Sequence, residues 1–390
     1  MAARRFVVQV LAVALAAAAM VAAFNAWVDP FQHYRKAERF APRFYPAWQR
    51  HQNPGLARHY DYERIVTGSS LMENLLPADV DRAFGGRTIN LSVSAQSAYD
   101  AGRLLGTALA TGKPRHVVMN LDYNAFSGAP DRSGFAEPFP GHLYDEASWN
   151  DLPYLLGLAT LLKSLEIVLG LEWSRFHVDP ARMWYWADGY RFSAAKAVQG
   201  LDPDDLNARF RQPARTLAGM QASFEANLAP LIAAYPDVRF SFLYAPYAIL
   251  VWLDFRQRGQ LEVTLAFREW LLERTRGHAN VEIFDFHAEP AIVMDLDHFT
   301  DIYHCSPRLS QAIVEAMAAG RYRLTPARLA ANNAWLRRAA RETSPRRVIA
   351  EALARPASGE KASVPLDGLA PPAGEARGRR VPLSAPAPGT

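Results

Sequence analysis

Two short stretches of this chain carry the residue types that serine acyl transfer requires. Arg64-Ile65-Val66-Thr67 is a short run that ends in Gly68-Ser69-Ser70, and Asp301-Ile302-Tyr303-His304 lies far downstream, ahead of a helix-like run after Pro307. A serine on a tight turn after a strand presents its hydroxyl to a cleft. The helix that follows adds unpaired backbone N–H groups and a positive end. Histidine takes the hydroxyl proton, and the aspartate three residues before it fixes the imidazole tautomer. Ser69 and Ser70 both qualify by type, with Asp301 and His304 as the partners of either.

The elements that must bring these stretches together are readable as an alternation of strands and helices. Strands are expected at Arg64–Thr67, Thr88–Ser92, His116–Leu121, Arg239–Tyr244 and Val281–Phe286, each short and rich in β-branched or aromatic residues. Helices are expected at about 98–111, 153–169, 213–234, 260–276 and 308–320, with two more at 326–341 and 345–354. Such alternation predicts an α/β fold in which a parallel sheet is covered on both sides. Ligands in these sheets bind beyond the carboxyl ends of the strands. Ser70, Ser94 and Asn124 all fall just past expected strand ends, where one cleft can collect them.

Taken together, these blocks resemble the SGNH (GDSL-like) hydrolase superfamily, and more closely its exported, membrane-anchored polysaccharide O-acyltransferase-type members. The resemblance covers about residues 61–322 of an α/β domain expected at 61–325, apart from an insertion at about 128–212. It implies a three-layer α/β sandwich on a flavodoxin-like five-stranded parallel sheet, plus a helical, aromatic insertion. Gly68-Ser69-Ser70 matches the first block and puts Ser70 at the nucleophile position. Asn90-Leu91-Ser92-Val93-Ser94-Ala95-Gln96-Ser97 matches the second, with Ala95 where the family has glycine. Asp122-Tyr123-Asn124-Ala125 matches only the asparagine of the third, and Asp301-Ile302-Tyr303-His304 is the last block. The implied oxyanion hole comprises Ser70 N–H, Ala95 N–H and the Asn124 side chain. The implied activity is esterase or O-acyl transfer from an acyl donor to a glycan acceptor, with a membrane-embedded partner as a possible source of acyl groups. No cofactor and no metal is implied. Ala95 and the incomplete third block keep an alternative open, a catalytically inactive glycan-binding or assembly protein of the envelope.

Composition narrows the setting. The 390 residues are 50% hydrophobic, with formal net charge +4 and a single cysteine, Cys305. The small charge excess, with no long basic block in the body, argues against nucleic-acid binding. One cysteine excludes an intrachain disulfide and a zinc site built on several thiolates. Asp295, Asp297, His298, Asp301 and His304 carry metal-ligand types, but nothing pairs them with a second cluster. Ala3-Arg4-Arg5 precedes an apolar run, Phe6 to Phe24, broken only by Gln9. About 20 helical residues span the roughly 30 Å hydrocarbon core. Residues 1–28 are therefore expected to be a signal-anchor helix in the inner membrane, Arg4 and Arg5 staying cytoplasmic and the body periplasmic. A cleaved secretory signal is the alternative. Residues 29–60 are expected to be an irregular linker. Residues 355–390, rich in Pro, Ala, Gly and Ser, are expected to be a disordered tail. In the insertion, Trp149, Trp173, Trp184, Tyr185, Trp186 and Tyr190 either stack on sugar rings or pack a core.

Overall fold

The computed structural model describes residues 1–134, 138–208 and 214–355. The tail expected after residue 355 lies outside the described residues. The long apolar segment forms α1 (Ala2–Val28), followed by α2 (Gln49–His59), β1 (Arg64–Thr67), α3 (Pro77–Phe84), β2 (Thr88–Asn90), α4 (Ala98–Ala110) and β3 (His116–Asn120). Three short helices, α5 (Leu152–Leu155), α6 (Leu158–Val168) and α7 (Ala194–Ala197), lie in the insertion. The second half runs α8 (Leu217–Asn227), α9 (Ala229–Ala234), β4 (Arg239–Tyr244), α10 (Ile249–Gln257), α11 (Leu261–Thr275) and β5 (Val281–Asp285). It ends with α12 (Pro290–Val293), α13 (Pro307–Ala318), α14 (Pro326–Glu342) and α15 (Pro345–Ala354).

All five strands are parallel, in the order β2-β1-β3-β4-β5. Ile65 pairs with Ile89 on one side of β1, and Val66 with Val118 on the other. β1 and β3 are buried along their whole length, which is why they read as short runs without alternation. Helices cover both faces, giving the three-layer α/β sandwich. Chain order reverses at β1, so the crevice beyond the carboxyl ends of β1 and β3 is the topological switch point. The loops after β1, β2 and β3 converge there.

Local chemistry sets the helix starts that matter to this crevice. Ser97 caps α4 in a reciprocal box, its Oγ accepting from Asp100 N while Asp100 accepts from Ser97 N, both at 3.1 Å. Ser306 caps α13 with Pro307 in its first turn. Two helices expected as continuous are split. The 153–169 segment breaks at Leu156–Gly157, and the 213–234 segment starts at Leu217 and restarts after Leu228, where Pro230 opens a new helix.

Residues 29–60 are not an irregular linker. Phe31, Phe44, Tyr45 and Leu56 are fully buried in the core. Asp29 sits in the left-handed region at φ 53° at the end of α1. Its carboxylate accepts from the backbone N–H groups of His33, Tyr34 and Arg35 and, at 2.6 Å, from Tyr154 Oη. Aromatic side chains hide large areas when they are enclosed, and the insertion encloses these. In α2 the buried residues include Gln49, Gln52 and Asn53, each with a specific partner. Asn53 Nδ2 donates to Leu91 O, and Gln52 Nε2 to Arg43 O.

The insertion is partly helical, as expected, and its aromatics divide between two roles. Trp184 is buried in the core and, with Tyr185, Trp186 and Tyr190, lines a cavity at the sheet's switch point. Trp149 and Trp173 are exposed.

Candidate active site

The turn after β1 is built around Gly68, whose φ of 139° lies where a side chain is disfavoured. A Cβ there would fall 1.8 Å from Asn120 Oδ1 and 2.8 Å from Met72 Cγ. Asn120, buried at the end of β3, clamps the turn. Its Oδ1 accepts from Ser69 N at 3.0 Å and its Nδ2 donates to Ser69 Oγ at 3.3 Å. Ser69 is thereby held under the turn, 3% exposed, and Ser70 is left facing the cavity. The two serines, equivalent by type, are separated by this clamp.

Ser70 Oγ lies 2.8 Å from His304 Nε2. On the far side of the ring, His304 Nδ1 is 2.8 Å from Asp301 Oδ2 and 3.0 Å from Oδ1. Asp301 Oδ1 also accepts from the backbone N–H groups of Tyr303 and His304, each at 2.8 Å. These bonds fold the Asp-x-x-His segment into a tight turn that fixes carboxylate and ring together. Trp186 packs edge-on against the imidazole, centroids 5.2 Å apart. The insertion carrying Trp186 is tied back to the segment after Ser70, because Trp186 N and Ala187 N both donate to Asn74 Oδ1.

The electrostatics suit a general base. Burial draws the His304 pKa down, but the Asp301 charge and hydrogen bond, with Glu73 and Asp122, raise it above the ordinary 6.5. Burial pushes the Asp301 carboxyl up, yet the His304 charge and hydrogen bond outweigh it and hold the carboxyl below its usual 3.8. The base must be neutral to accept a proton. kcat/KM for an ester is therefore expected to rise with pH on a single limb whose inflection lies above 6.5. A titration of rate from pH 5 to 9 tests this, and an inflection below 6.5 would contradict the ion pair.

The expected oxyanion donors meet at the same cavity. Ser70, Ala95 and Asn124 all line it, and it encloses about 520 Å³. The loop carrying Ala95 is stitched to the serine turn by Val93 N donating to Gly68 O at 2.9 Å. Ala95 adopts φ 51°, the left-handed conformation that glycine takes without cost and alanine takes at roughly 1 kcal/mol. Neighbours hold it there. Ser94 N donates to Gln49 Oε1 at 2.8 Å, and Ser94 Oγ to Glu73 Oε1 at 2.6 Å. Arg50 reaches Ser94 O at 3.3 Å. Gly134 backs the loop so closely that a Cβ on it would fall 1.8 Å from Ala95 O. Asn124 is fixed through its oxygen, which accepts from Arg215 Nη1 at 3.3 Å. The amide NH2 is then the end of the side chain that can serve a substrate oxygen.

Several supporting residues carried no sequence signal: Asn120, Glu73, Gln49, Arg50 and Asn74. Glu73 is buried beside the cavity, with its pKa raised by burial against the hydrogen bonds from Ser94 and Gln49. Only its place three residues after Ser70 could have marked it. The other acidic residues near the last block have different duties. Asp297 Oδ1 accepts from Ala194 N at 2.8 Å, and Arg355 bonds both Asp295 and Asp297. Burial pushes the Cys305 thiol up to about 11, which removes it from nucleophilic duty near neutral pH.

Gly68→Ala is expected to cost roughly 2–4 kcal/mol of stability, because the new Cβ collides with Asn120 in a forbidden backbone region. Any ester turnover at this site is expected to fall about 100-fold as Ser70 is displaced. Thermal unfolding and turnover of the same preparation measure both, and wild-type values for both would contradict the clamp.

No protein-family model matches the chain, and no curated protein matches it in sequence.

Proposed function

We propose that this protein is a membrane-anchored serine esterase or O-acyltransferase of the SGNH type, acting on a cell-envelope or extracellular polysaccharide. One observation carries the reading: Ser70 Oγ, His304 and Asp301 form a continuous hydrogen-bond chain at the rim of a cavity. In this reading Ser70 Oγ attacks the acyl carbonyl carbon while His304 Nε2 takes the hydroxyl proton. The tetrahedral oxyanion is held by the N–H groups of Ser70 and Ala95 and by the Asn124 NH2. Collapse breaks the bond to the leaving oxygen, which receives the proton from His304, and an acyl-Ser70 ester remains. His304 then deprotonates a sugar hydroxyl or water, which attacks that ester. Collapse of the second tetrahedral intermediate returns the proton to Ser70.

The cavity walls favour a carbohydrate acceptor. Tyr185, Trp186 and Tyr190 offer flat faces, and Arg132 and Arg175 offer donors, around an opening beside Ser70. The unbroken hydrogen-bond chain favours the enzyme over an inert binding protein. Full-length protein in detergent is expected to release p-nitrophenol from its acetate ester. A soluble oligosaccharide acceptor is expected to divert part of the acetate from water to sugar. Absence of both turnover and acylated protein would contradict the proposal.

α1 is long and apolar enough to span a membrane, and none of its most apolar stretch is buried. We read it as an inner-membrane anchor with Arg4 and Arg5 in the cytoplasm and the body in the periplasm. Arg35, Lys36, Arg39 and Arg43 follow α1, and Arg35 and Arg39 donate to backbone carbonyls of Ala26 and Trp27 at its end. A carboxyl-terminal alkaline phosphatase fusion is expected to be active in this orientation, and an inactive fusion of full-length protein would contradict it.

A further inference from the structure

α6 is built inside out for a helix in water. Its buried residues are Thr160, Lys163, Ser164 and Glu166. Two of its leucines face outward, Leu158 at 69% exposed and Leu162 at 42%, and so does Leu169, just after its end, at 61%, while Leu161 and Leu165 are half-buried. The three exposed leucines recur at spacings of four and seven, which places them on one stripe. The polar face is satisfied within the body. Lys163 pairs with Glu166 at 2.9 Å, Glu166 accepts from Ser174 N, and Arg43 lies 3.8 Å from Glu166. A soluble domain places such a helix the other way round.

Position along α1 explains the inversion. Ser164 Oγ donates to Asn25 Oδ1 at 2.9 Å, and Asn25 Nδ2 to Leu155 O at 2.8 Å. Ile167 lies in a cleft with Trp27 and Val28. α6 therefore runs in the same sense as α1, with its first turns beside the part of α1 that precedes Asn25. Ala18, Val21 and Ala22 are half-buried on the face of α1 that continues to buried Asn25 and Val28. At 1.5 Å per residue the apolar run Phe6–Phe24 is about 28 Å long, close to the whole hydrocarbon thickness. A bilayer that accommodates this run must reach the stretch from Ala18 to Phe24, about 10 Å of helix, along which α6 is packed. The outward leucines of α6 then lie at hydrocarbon depth. Leu152 and Leu156, beside the α5–α6 turn, are also exposed. Exposed Trp149 and Trp173 flank the hairpin, in the manner of interfacial anchors. Arg35, Lys36 and Arg39 line the cleft at the end of α1, at the level expected of lipid phosphates.

We propose that the α5–α6 hairpin is a monotopic foot, embedded in the leaflet from which α1 emerges, so that the body is seated on the bilayer instead of swinging from a tether. The inference rests on reading α1 as a membrane span, and it holds for either orientation of the chain. It also sets the height of the cavity. The segment that leaves α6 supplies Arg175 and His177 to the cavity wall, only a few residues beyond Trp173.

Single-cysteine labelling of full-length protein in phosphatidylethanolamine–phosphatidylglycerol nanodiscs tests this, because Cys305 is buried. A polarity-sensitive fluorophore is placed by Val13→Cys on α1, by Leu162→Cys on α6, and by Ala319→Cys at the end of α13 remote from His304. Quenching by bromolipids is compared with quenching by aqueous iodide. The proposal expects Val13 and Leu162 labels to be blue-shifted and quenched at least threefold more by bromolipid than the Ala319 label, which iodide quenches. If the Val13 label is in lipid and the Leu162 label behaves like Ala319, the foot is wrong and the anchor stands. If the Val13 label is reached by iodide, the anchor reading falls and the foot with it.

Discussion

Ser70→Ala is expected to reduce kcat for p-nitrophenyl acetate by about four orders of magnitude or more, with the fold intact. The argument is geometric. Ser70 Oγ is the only hydroxyl of the turn directed at His304, at 2.8 Å. Without it the base has nothing to deprotonate but water. Stability is expected to change by less than about 1 kcal/mol, because Ser70 is only partly buried and one hydrogen bond is lost. Ser69→Ala supplies the contrast. That hydroxyl accepts from Asn120 beneath the turn, so its loss leaves the nucleophile in place and is expected to cost less than about tenfold in rate. Equal losses from both substitutions would refute the assignment of roles. Initial rates, with near-ultraviolet circular dichroism as the check on folding, decide the matter.

Asp301→Asn is expected to lower kcat/KM by about 10³–10⁴. Both oxygens of Asp301 lie within 3.0 Å of His304 Nδ1, and one of them also accepts the N–H groups of Tyr303 and His304. An amide keeps one acceptor for the turn, so the loop is expected to survive. It also places an NH2 donor beside Nδ1, which favours the tautomer with hydrogen on Nε2. That nitrogen then faces Ser70 without a lone pair. Loss of the carboxylate also removes the main influence that raises the His304 pKa against burial, so the residual activity is expected to titrate at a lower pH than that of the wild type. A merely structural aspartate would alter stability without moving that inflection. A pH–rate profile of the variant separates the two, and an unshifted inflection would count against the ion pair.

The sheet was legible because parallel strands buried on both faces cannot hide their composition. Ile65-Val66 and Val117-Val118 sit between turn residues, and all five strands lie within two residues of their expected ends. Helix α10 was not anticipated. Ile249-Leu250-Val251-Trp252-Leu253 is buried all round, so it lacks the polar face that gives a helix its period. Residues 29–60 looked like a linker because aromatic, Arg and Pro residues such as Phe31, Tyr34, Phe40 and Trp48 crowd the segment. The partners that justify burying Gln49 and Asn53 lie on Glu73, Ser94 and the backbone of Leu91 and Ser92, and such long-range bonds leave no local pattern.

The candidate site was legible where chemistry depends on residue type at short spacing, as in Asp301-x-x-His304 and the Gly68 turn. The choice between Ser69 and Ser70 depended on Asn120, which sits on a different strand. The positive φ of Ala95 is a property of its supports, Gln49, Glu73 and Arg50, and not of alanine itself. The inverted polarity of α6 was also beyond reach from local sequence. Its apolar face reads like a core face until α1 is seen lying beside it.

Covalent labelling with a fluorophosphonate tests the central claim most directly, since the reagent traps an activated serine on folded protein. Peptide mapping by mass spectrometry is expected to find a single adduct on Ser70 in the full-length protein, and none after His304→Ala. Folded wild-type protein that stays unlabelled, or that carries its adduct on Ser69 or another serine, would contradict the account.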